Sequence, residues 1–160
     1  MKTFFNQYDI VPVKENCIKL CIVQQIQTED EDAYSDSLLE QMIMFEEYLE
    51  MSQFEKEHFY IIGCNQEHRI KGIFLLNIGE YNAVEYDAKK LALFLLLIDA
   101  SEFYSIHNHP THELKGSDND KFMNGLLIAA GKLLDIEYTG GYVVDKKGYV
   151  NTSTNEIIWF

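Results

Sequence analysis

His107-Asn108-His109-Pro110, followed by Ser117 and Asp120, is the stretch whose residue types and spacing could do chemistry. Two histidines two apart at the end of a strand point to the same face, so both imidazoles can hold one borderline-soft cation. Pro110 stops the strand and turns the chain outward. Ten residues further on, the start of the next helix can return Asp120 as a third, oxygen ligand. Three protein ligands of the His-His-Asp type leave a fourth tetrahedral position for water, the arrangement of a catalytic zinc site. Zinc lowers the pKa of such a water to roughly 7 and so makes hydroxide at neutral pH. The same residues admit a plainer reading. An isolated His-x-His pair is common at surfaces, and Ser117-Asp118-Asn119-Asp120 fits a helix capping box with Ser117 as N-cap. Asp120 would then only be a favourable charge on the helix dipole. The joint spacing H-x-H-P-x6-S-x2-D at a strand–loop–helix junction is what gives the metal reading its specificity.

The elements that must position this stretch can be read along the chain. Ile18-Lys19-Leu20-Cys21-Ile22-Val23 reads as a strand, and Thr28-Glu29-Asp30-Glu31-Asp32 as a solvated acidic loop. Ser37-Leu38-Leu39-Glu40 fits a capping box, and Leu38, Met42, Phe45 and Leu49 recur at helical spacing behind it. Residues 58–64 and 70–77 form a hairpin around a polar turn at 65–68. Asp87 can cap a helix running to Ala100, so apolar that it should be buried on most sides. Asp99 and Glu102 beside its end are expected to face solvent. A short inner strand covers 103–107, a helix about 117–134, and strands 136–144, 149–152 and 157–160. Strands alternating with long helices imply an α/β fold, a mixed β-sheet flanked by helices.

Composition limits the function. Thirteen basic residues against 26 acidic give a net charge of −13, which argues against direct nucleic-acid binding, since that rests on Lys/Arg neutralising phosphates. Residues 1–60 hold four basic and 13 acidic side chains, and residues 61–160 nine and 13, so the front is the acidic part. Residues 1–7 lack the apolar core of a signal peptide, and the longest apolar run, 91–98, is far short of the ~20 residues that span a bilayer. Cys17, Cys21 and Cys64 have no framework spacing, and the first two read as small buried hydrophobes. A cytoplasmic protein without a membrane segment is expected.

At its histidine stretch the chain resembles the JAMM metalloproteases of the JAB/MPN fold, and within them the RadC-like branch, where HNHP is usual. Their motif is a distant Glu followed by H-x-H-P-x6-S-x2-D. Glu57-His58-Phe59 resembles the family's E-x-F, Gly79 and Asn82-Ala83 its G-T-x-N-A turn with Lys89 where Arg is usual, and Gly131-Lys132-Leu133-Leu134-Asp135-Ile136 its G-R-L-L-G-I segment. The likeness covers about residues 55–152. It implies a single JAB/MPN-type domain of cytidine-deaminase-like architecture over 55–160. Residues 1–54 would be an acidic strand-and-helix extension packed on it. It also implies His107, His109 and Asp120 as ligands of one zinc ion, and Ser117 helping to hold the oxyanion of a tetrahedral intermediate. Glu57 would be the general base, with Glu55 the competing candidate on the same face.

Departures from the pattern are visible. Thr111-His112-Glu113 replace the usual Ser-Gly, and Gly140-Gly141 stand where the family has Asp-His. Residues 1–50 offer no glycine hairpin or basic face of the helix-hairpin-helix type that often precedes a RadC domain. His112 is expected to be solvated, and His58 and His68 have no ligand partner at suitable spacing. A zinc-dependent peptidase or isopeptidase acting on a protein or peptide is therefore the leading expectation. The alternative is a RadC-like accessory module of a mobile element, acting in DNA metabolism or host defence through a protein partner. A nucleoside deaminase, suggested by the related sheet, is disfavoured because the C-x-x-C ligand pair is missing.

Overall fold

A computed structural model of the chain describes residues 3–14, 17–28, 35–79 and 87–160. Among these residues, eight strands form one mixed sheet in the order β2-β1-β4-β3-β5-β6-β7-β8. They are β1 (Thr3–Lys14), β2 (Cys17–Thr28), β3 (His58–Cys64), β4 (Ile70–Ile78), β5 (Glu102–His107), β6 (Glu137–Asp145), β7 (Gly148–Asn151) and β8 (Ile157–Trp159). The helices are α1 (Leu38–Leu49), α2 (Ala88–Leu97) and α3 (Asp118–Leu134). The β1–β4 and β5–β6 pairs are parallel and the others antiparallel, so the expected helix-flanked mixed sheet is what forms. The acidic residues 29–32, Asn82-Ala83 and the Cys17 side chain lie outside what the structure describes.

Alternation along the strands divides the core between two faces. Tyr60, Ile62, Ile73, Tyr104 and Ile106 pack under α1 through Met42, Phe45 and Leu49. Phe59, Ile61, Phe74 and Phe103 pack against Leu91, Phe94 and Leu95 of α2 and Met123 and Leu127 of α3. β5 lies between β3 and β6 and is buried along all its residues.

Some sequence expectations need correction. β1 was not anticipated: Asn6, Gln7, Asp9 and Pro12 interrupt its alternation, and it forms because β2 and β4 pair with it on either side. The Tyr8 ring lies 2.9 Å from where a Cβ on Gly72 would be, so only glycine there lets β1 close against β4. α2 is not buried on most sides. Leu91, Phe94 and Leu95 are buried, but Leu96 and Leu97 are 56% and 48% exposed. Ser37 occupies the α1 N-cap position without a side-chain cap bond, whereas Asp87 accepts the Lys90 N–H at 2.9 Å as expected. Cys21 is half-buried. Glu102 is buried against the expectation, its carboxylate held by the His68 ring. No helix among the described residues is long and apolar enough to cross a membrane.

Phe45 is fully buried at the middle of α1. Phe45→Ala should cost about 3–5 kcal/mol in urea unfolding followed by circular dichroism. A loss below about 1 kcal/mol would show that α1 is not an integral layer of the core.

Candidate metal centre

β5 delivers the first histidine. Its alternation sends Tyr104 and Ile106 toward α1 and places Phe103, Ser105 and His107 on the α3 side. His107 is 1% exposed and stacks on Phe59, its partner in β3, with ring centroids 5.2 Å apart at 19°. Its Nε2 faces His109 Nε2 at 3.2 Å and Asp120 Oδ1 at 2.9 Å, and Asp120 Oδ2 lies 3.7 Å from His109 Nε2. One ligand atom from each of the three residues lies within 4.8 Å of the others. Two ligands about 2.0 Å from one tetrahedral ion stand about 3.3 Å apart, so two imidazole nitrogens converging at 3.2 Å fit a shared cation.

Asp120 is both a capping residue and a member of the His-His-Asp group that could hold a metal ion. Asp120 N–H donates to Ser117 Oγ at 3.1 Å, while the Ser117 N–H and hydroxyl donate to Asp120 Oδ2 at 2.6 and 2.7 Å. This capping box starts α3 and clamps one carboxylate oxygen, leaving Oδ1 turned to His107. The loop that brings Ser117 into place is pinned by Gly116. Its N–H donates to Asn155 Oδ1 at 2.9 Å, and a Cβ on it would meet the Thr152 carbonyl at 2.6 Å.

The outer ring nitrogens differ. His109 Nδ1 donates to the Glu113 carbonyl at 3.1 Å, which fixes the tautomer that leaves Nε2 free to ligate. His107 Nδ1 is buried with no hydrogen-bond partner. Burial opposes the charge on Asp120, yet hydrogen bonds from the two imidazoles and Ser117 hold its carboxyl far below the usual range. Burial also works against protonation of His109, but Asp120, the Glu113 carbonyl and the charge of Glu57 outweigh it and raise its pKa.

Glu57 is the second acid whose charge reaches His109. It immediately precedes β3, two residues before Phe59 and so on the face that carries His107. Glu55, the competing candidate, is exposed. Asn108, which lies between the two histidines, joins the two elements. It is 1% exposed; its Oδ1 accepts the His58 N–H at 2.8 Å, and its Nδ2 donates to the carbonyls of Phe54 and Lys56 at 3.3 and 3.1 Å. One side chain thus grips the backbone on both sides of Glu57. Only the pairing of β3 with β5 reveals this role.

Other residues sit around the centre without joining the donor set. His112 is not simply solvated, because its Nδ1 bonds to the buried Asp145 carboxylate at 2.8 Å. His58 stacks on Phe54 at 3.9 Å. Behind the centre, Ser105 Oγ meets the Tyr138 hydroxyl, which donates to Asn124 Oδ1 at 2.7 Å, and Asn124 Nδ2 donates to Thr152 Oγ1 and Ser153 Oγ. A Cβ on Gly141 would fall 2.4 Å from Asn124 Oδ1, so this network fills the room where the family pattern has a larger residue. Asp135, at the glycine position of G-R-L-L-G-I, ends α3 with φ 57°. Aspartate tolerates that left-handed conformation better than most residues.

A helix-flanked mixed sheet whose central strand ends in a His-His-Asp donor set defines a JAB-type domain with a candidate metal centre. A family model described as the RadC-like JAB domain matches residues 39–157, and the chain belongs to that family. It is similar to UPF0758 proteins: 28% identical over 103 residues to one from Chloroflexus aggregans (64% of this chain, 45% of the relative). Another, from Alkaliphilus metalliredigens, is 29% identical over 100 residues (62% and 43%). The chain spans less than half the length of these curated relatives.

Two outcomes test this geometry. Protons compete with any metal for His109, and its pKa is raised, so the affinity for an added divalent cation should begin to fall at a pH above the ordinary imidazole value of about 6.5. Chelator-competition titrations across pH would read this, and a fall confined to lower pH would contradict the raised value. Asn108→Ala should cost about 1–3 kcal/mol for each backbone group left buried and unpaired. Chemical denaturation would measure that loss. The Asn108 amide is hydrogen-bonded to the backbone of Phe54, Lys56 and His58 and not to His107, His109 or Asp120, so uptake of an added divalent cation should be unchanged.

Proposed function

We propose that the chain is a zinc-dependent hydrolase of amide bonds, a peptidase or isopeptidase, with its ion held by His107, His109 and Asp120. The observation carrying this reading is the convergence of both imidazole Nε2 atoms and the Asp120 carboxylate on one point at the end of β5, with the charge of Glu57 acting on His109. Zinc, when bound there, supplies Lewis acidity that brings a coordinated water to a pKa of about 7.

This chain's own residues account for the proton and the positioning. The Glu57 carboxylate takes the proton of the attacking water and returns it to the leaving amine, and Asn108 keeps that carboxylate's backbone in place. Ser117 first serves by holding Asp120, since its single hydroxyl proton is given to Oδ2. It donates to the substrate oxyanion only by exchanging that bond. The acidic surface of a chain with net charge −13 suits a protein or peptide substrate with basic segments.

Elemental analysis of protein purified without a histidine tag should find about one zinc per chain, lost in His109→Ala. Turnover is then screened on fluorogenic peptides and on peptides joined through a lysine ε-amide. Glu57→Gln should retain zinc and lose roughly 10²–10⁴-fold in rate. Wild-type protein that stays empty when zinc is supplied would remove the hydrolase reading, leaving a partner-binding module in its place.

A further inference from the structure

The opposite face of the sheet holds a cavity of about 250 Å³ lined by Asp36, Gln41, His68, Glu102, Tyr104 and Tyr142, among others. Tyr104 and Tyr142 belong to the layer under α1, whereas His107 stacks on Phe59 in the other layer. The cavity and the metal centre thus share β5 and use opposite faces of it. We propose that this cavity binds one cationic group of side-chain size, an alkylammonium or guanidinium, between the Glu102 carboxylate and the rings of Tyr104 and Tyr142.

The carboxylate is the first argument. Glu102 is 8% exposed, and a buried carboxylate requires a cation or donors beside it. The partner in place is His68 Nδ1 at 2.5 Å, on an imidazole whose side chain is 62% exposed. The charge is therefore held from outside, by a hairpin-turn residue whose own ring is mostly in solvent. Asp36 adds a second carboxylate to the wall, and its charge and that of Glu137 both reach His68. No lysine or arginine among the described residues lines the cavity.

The aromatic wall is the second. The Tyr104 and Tyr142 rings meet edge to face, with centroids 6.1 Å apart at 79°. Burial pushes both phenols up, so they stay neutral and add no competing anion to the wall. A cation at such a wall gains from the ring quadrupoles as well as from the carboxylate. Gln41 fixes the inner end: its Oε1 accepts the Tyr104 hydroxyl at 2.7 Å, and its Nε2 donates to the carbonyls of Ser35 and His68 at 2.8 Å each. With that amide fully engaged, the inner wall is set before any ligand arrives. The volume lies below the roughly 300–1,000 Å³ of pockets that enclose a whole small molecule, which suits a terminal group.

The test titrates n-butylammonium and methylguanidinium into the 160-residue chain, with n-butanol as the neutral match, followed by two-dimensional NMR. Saturable shifts at Gln41, Tyr104 and Tyr142 with the cations, and none with n-butanol, are expected. Glu102→Gln should weaken binding about tenfold or more. Because that buried change can unfold the chain, exposed Asp36→Asn is the second variant and should weaken binding several-fold. Equal binding of n-butanol, no shift up to about 10 mM cation, or unaltered binding in a folded Glu102→Gln variant overturns the proposal. N-acetyl-lysine-amide and a Gly-Lys-Gly peptide separate the sources. Tighter binding of these than of n-butylammonium assigns the site to a protein side chain, and weaker binding to a free amine.

Discussion

A single buried carboxylate, Asp120, sets the terms for the rest of the site. At 6% exposure it is tolerable only if every side of it meets a donor or a cation. Ser117 supplies two donors to one oxygen and His107 faces the other. The capping box that starts α3 and the donor set that ends β5 therefore meet in one functional group. α3 can begin only where its first turn closes on the end of β5, and the Gly116 loop must pass against Thr152 to bring it there.

The partner histidines are set by different means, and this shapes what the centre can do. His109 hangs on a loop, and the Glu113 carbonyl orients it. His107 has no such acceptor; the sheet itself orients it, through the flat contact with Phe59 and burial on a fully covered strand. A ring held by packing keeps its plane without a hydrogen-bond acceptor on its outer nitrogen, the usual support of a ligating imidazole. The centre thus has one ligand supported electrostatically and one sterically.

The legible part of this site was the part fixed by local periodicity. Two histidines two apart where a strand ends, and serine and aspartate at N-cap and N3 of a helix, are placed mainly by their immediate neighbours in sequence. Expectations failed where the deciding neighbour is remote in sequence. Asn108 serves residues fifty positions earlier, Glu102 is buried by a histidine from the β3–β4 turn, and β1 is a strand because two other strands need a partner. The apolar run of α2 misled for a related reason: composition reports how much of a helix could be buried, while packing decides which residues are. Leu96 and Leu97 fall on the side nothing covers.

Gly140-Gly141 show how a departure from the family pattern is accommodated locally. The space a side chain at 141 would take is held by Asn124, Thr152 and Tyr138. Asn124 lies one turn after Asp120 on α3, and Ser105 lies two residues before His107 on β5, so the network ties together the two elements that carry the donor set. Its members are uncharged, with burial keeping the Tyr138 phenol neutral. An ionised residue at the same place would put a second charge behind Asp120 in a medium where charges are poorly screened. A neutral network joins helix to sheet as firmly and leaves the field at the donor set to Asp120 and Glu57, the acids that act on His109.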